Sequence, residues 1–212
     1  MDIAAAALSP ERIYKLLTST VMPRPIALVT TLAADGSVNA APFSFFNVFS
    51  NAPPLLILGI EGNKRGDGRA HKDTAANIRR SGEFVVNMVS HAMVEPMVVC
   101  AIDFPEGESE IAAAGLDVLP SQQVAVPHIA QSPVSFECRL YSSMDLPFDR
   151  TVVTGEILHL HVHDEAIDDR LHVDPDALDL VGRMHGGGWY TRTRDRFEAP
   201  RIPLADWRAR KP

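Results

Sequence analysis

Apolar positions in this chain come mainly as short continuous runs of strand length, separated by proline, glycine and polar clusters. Long stretches with helical three-to-four spacing are few. The first segment, "LSPERIYKLLTST", is an exception. Ser9 is placed to cap a helix, Pro10 suits its first position, and Ile13, Leu16 and Leu17 share a face. Met22-Pro23-Arg24-Pro25 then stops it, because proline cannot continue a helix. "IALVTTL" (26–32) predicts a strand, and Asp35-Gly36 a hairpin turn into a second extended segment, "VNAAPFSFFNVFS". Pro42 lacks a ladder donor and so predicts an edge or a bulge there. Pro53-Pro54 breaks the chain again before "LLILGI", a strand apolar on both faces.

The polar "EGNKRGDGRAH" predicts a loop delivering the chain to "HKDTAANIRRSG", a helix that Asp73 or Thr74 can cap and Gly82 can end. "EFVVNMV" predicts a strand, "HAMVEPMVVCAI" a helix, and "FPEGESEIAAAGL" a loop with one helical turn. "SPVSFECRLYSSM" and "TVVTGEILHLHVH" predict two long strands joined through "DLPFDR". Strands dominate without a regular strand-helix alternation, which favours an all-β or α+β barrel over a doubly wound sheet. There is no repeat, low-complexity linker or composition break, so residues 1–212 are expected to form one domain.

Composition narrows the function classes. A formal net charge of -7 argues against a nonspecific nucleic-acid binder, which needs a basic face. Cys100 and Cys138 are far apart with no CxxC, which argues against a disulfide scaffold or a thiolate zinc site and favours two buried thiols. The first residues, "MDIAAAALSPER", carry an acid where a secretory leader needs a basic region. No apolar run approaches the roughly 20 residues that span a bilayer. The expectation is a cytoplasmic protein that binds neither membrane nor nucleic acid.

Candidate chemistry gathers at three places. Lys72, Asp73 and Thr74 sit at a helix start, where unpaired N–H groups and the helix dipole favour an anion such as phosphate. An ordinary capped helix beside a solvated lysine accounts for the same residues. Ser44, Asn47, Ser50 and Asn51 lie among aromatics before the double proline, as pocket residues or as ordinary turn residues. In "GRMHGGGWY", three glycines permit close backbone approach, flanked by Arg183, His185 and Tyr190; a plain loop is the competing reading. His159, His161 and His163 alternate along one strand. They are read as the wet face of an amphipathic strand rather than a metal site, since no carboxylate or cysteine is placed to complete a shell. His91, His128 and His172 are read as surface histidines.

"PRPIALVTT", the DG turn, "APFSFFN", "KDT" with "GEFVVN", "SPVSFEC" and "TGEILHLHV" occur as long blocks in one order. Together they resemble the flavin reductase-like family, the FMN-binding split barrels. "GRMHGGGWY" resembles a family tail usually reading Arg-Leu-Gly-Gly then Tyr, with Met184-His185 departing from it. The resemblance implies a mainly β (α+β) fold: a six-stranded antiparallel Greek-key split β-barrel with flanking helices, working as a homodimer. It implies FMN, with the phosphate held by Ser50, Lys72 and Thr74, and with Asp73 in the same motif but read first as a helix cap. The flavin ring is expected along Phe43, Ser44, Phe45, Phe46 and Asn47, with Arg24 near by, and Asn51 is counted among the cofactor-binding candidates. Arg183, His185 and Tyr190 are expected to approach flavin or nicotinamide, His185 in the catalytic role. The implied activity is an NAD(P)H-dependent flavin oxidoreductase passing hydride from NADH or NADPH to flavin N5, with a monooxygenase among its conceivable partners. A flavin-bound electron carrier and a non-catalytic flavin-binding or structural barrel are the alternatives.

Overall fold

The fold was analysed in a computed structural model that describes residues 1–62, 71–105, 108–147 and 150–209. The expected loop over 63–70, and parts of the "FPEG" and "DLPFDR" connections, lie outside the described residues. Helix α1 (Pro10–Thr20) is followed by the strands β1 (Arg24–Pro25), β2 (Ala27–Leu32), β3 (Val38–Phe43), β4 (Phe46–Asn51) and β5 (Pro54–Glu61). Then come α2 (Asp73–Ser81), β6 (Glu83–Met88), α3 (Val94–Val99), α4 (Glu110–Ala113), β7 (Val118–Leu119) and β8 (His128–Ile129). The long strands β9 (Val134–Leu146) and β10 (Arg150–Val162) precede α5 (Pro175–Leu178), β11 (Val181–Arg183), β12 (Tyr190–Arg192) and α6 (Leu204–Ala209).

The main sheet has seven antiparallel strands in the order β3-β2-β6-β9-β10-β5-β4, where six were expected. The extra strand arises because "VNAAPFSFFNVFS" is not one extended segment. It breaks at Ser44 and Phe45, and its halves, β3 and β4, occupy opposite edges of the sheet. Two residues therefore carry the chain from one edge to the other, which draws the edges together and curls the sheet. The crossing is clasped to β5: the Gly59 amide donates to the Phe45 carbonyl at 2.7 Å. A side chain at Gly59 would press on Phe45, since its Cβ would lie 3.1 Å from that residue's Cβ. Pro42 falls on the edge strand β3, as its missing donor requires.

The strand runs are apolar on both faces because both faces are covered. Ala27, Val29, Phe46, Leu56, Leu58, Ile60, Phe84, Val86, Cys138 and Val153 fill the inside with Ala75 and Ile78 of α2. Ile26, Leu28 and Ala40 on the opposite face pack against Met93, Met97, Cys100 and Ile111. Both cysteines are free and buried, and burial pushes the Cys100 thiol up to about 12. Helix α1 has the expected Ser9 and Pro10 start, but its apolar face is largely uncovered: Leu16 and Leu17 remain 38% and 48% exposed.

A buried carboxylate holds a loop over the outside of the sheet. Glu137 of β9 is fully buried and accepts the amides of Gln122, Gln123 and Val124 at 2.7, 2.6 and 3.2 Å. Burial alone would raise its pKa; the Gln122 and Gln123 amides and His161 outweigh that and hold it below the ordinary value. Its stabilisation is therefore complete above an unfolded glutamate's value of about 4.3, and is lost as pH falls through the lower folded value. Glu137→Gln is expected to lose about 2–3 kcal/mol at neutral pH, the scale of hydrogen bonds to a charged group. Urea unfolding of both proteins from pH 7 to pH 3 should show this gap closing below about pH 4.3; a gap independent of pH would contradict the assignment.

Candidate functional site

Helix α2 begins at Asp73 with Lys72 in the cap position, so neither Asp73 nor Thr74 is the cap. The Lys72 side chain makes no capping bond to the first-turn amides, because it has no acceptor to offer. Gly82 ends the helix at φ 74°, as the sequence predicts. Lys72, Asp73 and Thr74 line a cavity of about 130 Å³ with Asn39, Phe43 and His71. Among the described residues Lys72 has no ion-pair partner. Thr74 is buried, and its hydroxyl accepts from Asn39 at 3.2 Å. Asp103 and Glu110 share the wall with Asp73, and none of these three residues is without a partner. Cys100 to Asp103 reach this cavity from beyond α3, a contribution without any signal in the sequence.

One residue further along the chain the wall changes cavities. Ser44, Phe45, Phe46 and Asn47 line a second space of about 320 Å³ with Arg24, Leu17, Val21, Pro23 and Pro25. Phe46 is 8% exposed and serves the core, leaving little of its ring for a ligand. Phe45 is braced between Tyr14, with ring centroids 6.1 Å apart, and the Arg150 guanidinium, 4.7 Å from its centroid. Asn47 is exposed, and its Oδ1 accepts from the Val48 amide at 2.8 Å. Ser50 and Asn51 lie on the edge strand β4 and line neither of these two cavities.

Arg24 is the hub of the second cavity. It is 6% exposed, yet its partners are neutral: the carbonyls of Thr18 at 2.7 Å, Val21 at 2.9 Å and Met184 at 2.9 Å, and the Ser44 hydroxyl at 3.3 Å. These bonds tie the end of α1, the edge crossing and the tail to one guanidinium. Burial pulls its pKa below the ordinary value, Tyr14 opposes, and Arg183 adds to the lowering. A small sheet, β1-β11-β12, brings the tail here by pairing Arg24 with Arg183 and Arg183 with Tyr190. The Arg183 guanidinium lies over the Tyr190 ring, 4.6 Å from its centroid. Asp179 anchors β12 by accepting from Arg192 and Arg194. His185 sits on the exposed loop, its ring 5.8 Å from that of Trp189, and Gly187 and Gly188 take φ of 77° and 82°. The tail is thus brought to Arg24 as far as Arg183 and Tyr190, while His185 stands out in solvent.

The histidine strand is not a wet face. A bulge between Ile157 and His159 sets His159 directly across from Glu137, and His161 reaches the same carboxylate at 2.6 Å. His128 is half-buried and stacks on His161 with centroids 4.0 Å apart, rather than standing on the surface. His163 turns instead to Glu165, and the intervening Leu160 is 57% exposed.

Residues 18–185 match the family model described as flavin reductase like domain. An uncharacterized protein of Deinococcus radiodurans is 43% identical over 200 residues, covering 92% of this chain and 86% of its own. The solved 2-nitrobenzoate 2-nitroreductase NbaA of Pseudomonas fluorescens superposes with a TM-score of 0.86 at 40% identity, over 96% of this chain and 97% of its own. Nitrilotriacetate monooxygenase component B of Bacillus cereus gives a TM-score of 0.86 at 27% identity, over 94% of this chain and 98% of its own.

Because Arg24 joins three separate segments, its removal strands three carbonyls at once. Arg24→Met is expected to cost about 3 kcal/mol, since each stranded buried acceptor costs about 1–3 kcal/mol and water reaches some of them. Denaturant unfolding measures this, and a loss below about 1 kcal/mol would contradict the hub role.

Proposed function

The chain belongs to the flavin reductase like domain family, and from that premise we propose that residues 1–212 form a single-domain NAD(P)H-dependent flavin oxidoreductase using FMN. The observation that carries the reading is the pair of neighbouring cavities, one with Lys72 at a helix start and one apolar around a buried guanidinium that has no carboxylate partner among the described residues. The first suits a phosphate at the start of α2, where Lys72 makes no capping bond and is an unpaired ammonium among the described residues. The second fits a flat, electron-accepting ring, with apolar walls from Leu17, Val21, Phe45 and two prolines, and with Ser44 and Asn47 as polar handles.

FMN, when bound, supplies the hydride acceptor and the electron sink. The chain's own residues bind and orient. Lys72 and the α2 amides hold the anionic end. Arg24, locked by four hydrogen bonds, puts a fixed positive charge beside the ring cavity, where it favours negative charge developing on a bound ring. Arg183 is held on Tyr190 and pinned through β12 to Asp179, and offers a second cation to the phosphates of a nicotinamide dinucleotide. His185 rides on a loop whose glycines permit movement, and this proposal gives it the proton-handling role on the nicotinamide side. Reduced flavin then serves a downstream acceptor, a partner monooxygenase being one class. We further propose a cytoplasmic homodimer that covers the bare face of α1 together with Val48 and Phe49 of β4, which are 55% and 57% exposed. Light scattering of the FMN-loaded protein at micromolar concentration should read twice the chain mass of 23.2 kDa; a folded, loaded monomer would contradict the dimer.

The activity is tested by anaerobic addition of NADH or NADPH to the FMN-loaded protein. The flavin absorbance should bleach; flavin that stays oxidised would leave the electron carrier or the binding module. Lys72→Ala should weaken FMN binding by about 1.5–3 kcal/mol, the range for a hydrogen bond to a charged group. Fluorescence titration checks this, and unchanged affinity would remove Lys72 from the site.

A further inference from the structure

We propose that Glu137, His159 and His161 form a binding site for a divalent first-row transition ion, with zinc as the reference ion. One ligand atom from each lies within 4.8 Å of the others, and the three belong to adjacent strands, β9 and β10. In a tetrahedral zinc site with bonds of about 2.1 Å, neighbouring ligand atoms stand roughly 3.4 Å apart. His161 Nε2 is now 2.6 Å from Glu137 Oε1, so it must swing back by under about 1 Å while His159 closes by up to about 1.4 Å. Rotation about the soft imidazole torsion covers such distances.

The surroundings favour an ion over a simple hydrogen bond. Glu137 is fully buried, and three backbone amides fix its plane before any ligand arrives. Outer partners of this kind orient a ligating carboxylate. The bulge at Leu158 is what aims His159 across at Glu137; regular alternation would have placed Leu158 there. His128 stacks on the His161 ring, 4.0 Å away and within 16° of parallel, so it limits where that ring can go. Its own Nδ1 is buried without a hydrogen-bond partner, a polar atom left over at the edge of the cluster. His159 and His161 are only partly covered, which leaves an approach path and an open coordination position for water. Two imidazoles and one carboxylate suit zinc, iron(II), cobalt(II) or nickel(II), and lack the oxygen-rich shell of calcium or magnesium. No residue of the cluster lines either cavity of the flavin site, so the proposal stands apart from the functional reading.

The test is isothermal titration of zinc chloride into the tag-free full chain, metal-stripped and loaded with FMN. One zinc per chain should bind at micromolar or tighter concentration. His159→Ala removes a half-exposed ring with no hydrogen bond to lose, and so avoids the folding cost expected of Glu137→Gln. It should weaken zinc binding at least about tenfold, the lower end of the effect of removing even an outer partner. His163→Ala, on the same strand but outside the cluster, should bind zinc as the unsubstituted chain does. Cobalt(II) should give a visible absorption band in the unsubstituted chain that His159→Ala lacks. Zinc affinity identical in the unsubstituted chain and His159→Ala, or no saturable binding below about millimolar, would overturn the proposal.

Discussion

The structure depends on one crossing. Ser44 and Phe45 take the chain from one edge of a seven-stranded sheet to the other, and everything around them exists to make so short a passage possible. Gly59 gives Phe45 room and a hydrogen bond, Arg150 and Tyr14 close over its ring, and Arg24 holds Ser44. A strand that ends at one edge and restarts at the other leaves a cleft on each side of the crossing. Those clefts are the two cavities: Phe43 faces the first, and Ser44 begins the wall of the second. The path that curls the sheet also builds the candidate site.

Arg24 shows how the two requirements meet. Burying a guanidinium without a carboxylate is costly, and three backbone carbonyls and a hydroxyl offset that cost by hydrogen bonding. A carboxylate partner would neutralise the charge that the second cavity presents. The arrangement therefore trades stability for a fixed positive charge beside the second cavity. The same guanidinium fixes the tail through Met184, so the loop carrying His185 starts from a rigid point.

Much of this was legible in the sequence, and the misses have physical reasons. Short apolar runs marked the main-sheet strands, and Asp35-Gly36, Pro42 and Gly82 marked a turn, an edge and a helix end, because in each case one residue's backbone chemistry decides the outcome. The seventh strand was hidden because the break at Ser44 and Phe45 carries neither glycine nor proline; only the closing of the sheet demands it. Cap chemistry pointed to Asp73 or Thr74, but the helix starts at Asp73 and leaves Lys72 at the cap. The histidine strand misled because a bulge breaks the alternation and because Glu137 lies on the neighbouring strand, far away in sequence. Cavity walls from Leu17 and Cys100 come from tertiary packing alone.

The central claim is that the edge crossing makes the two cavities one flavin site. A crystal structure of the protein grown with FMN tests it most directly. The account predicts the phosphate against Lys72 and the first turn of α2, with the ring along Ser44 to Asn47 beside Arg24. Phosphate density away from Lys72, or a ring that leaves the Arg24 cavity empty, would contradict it.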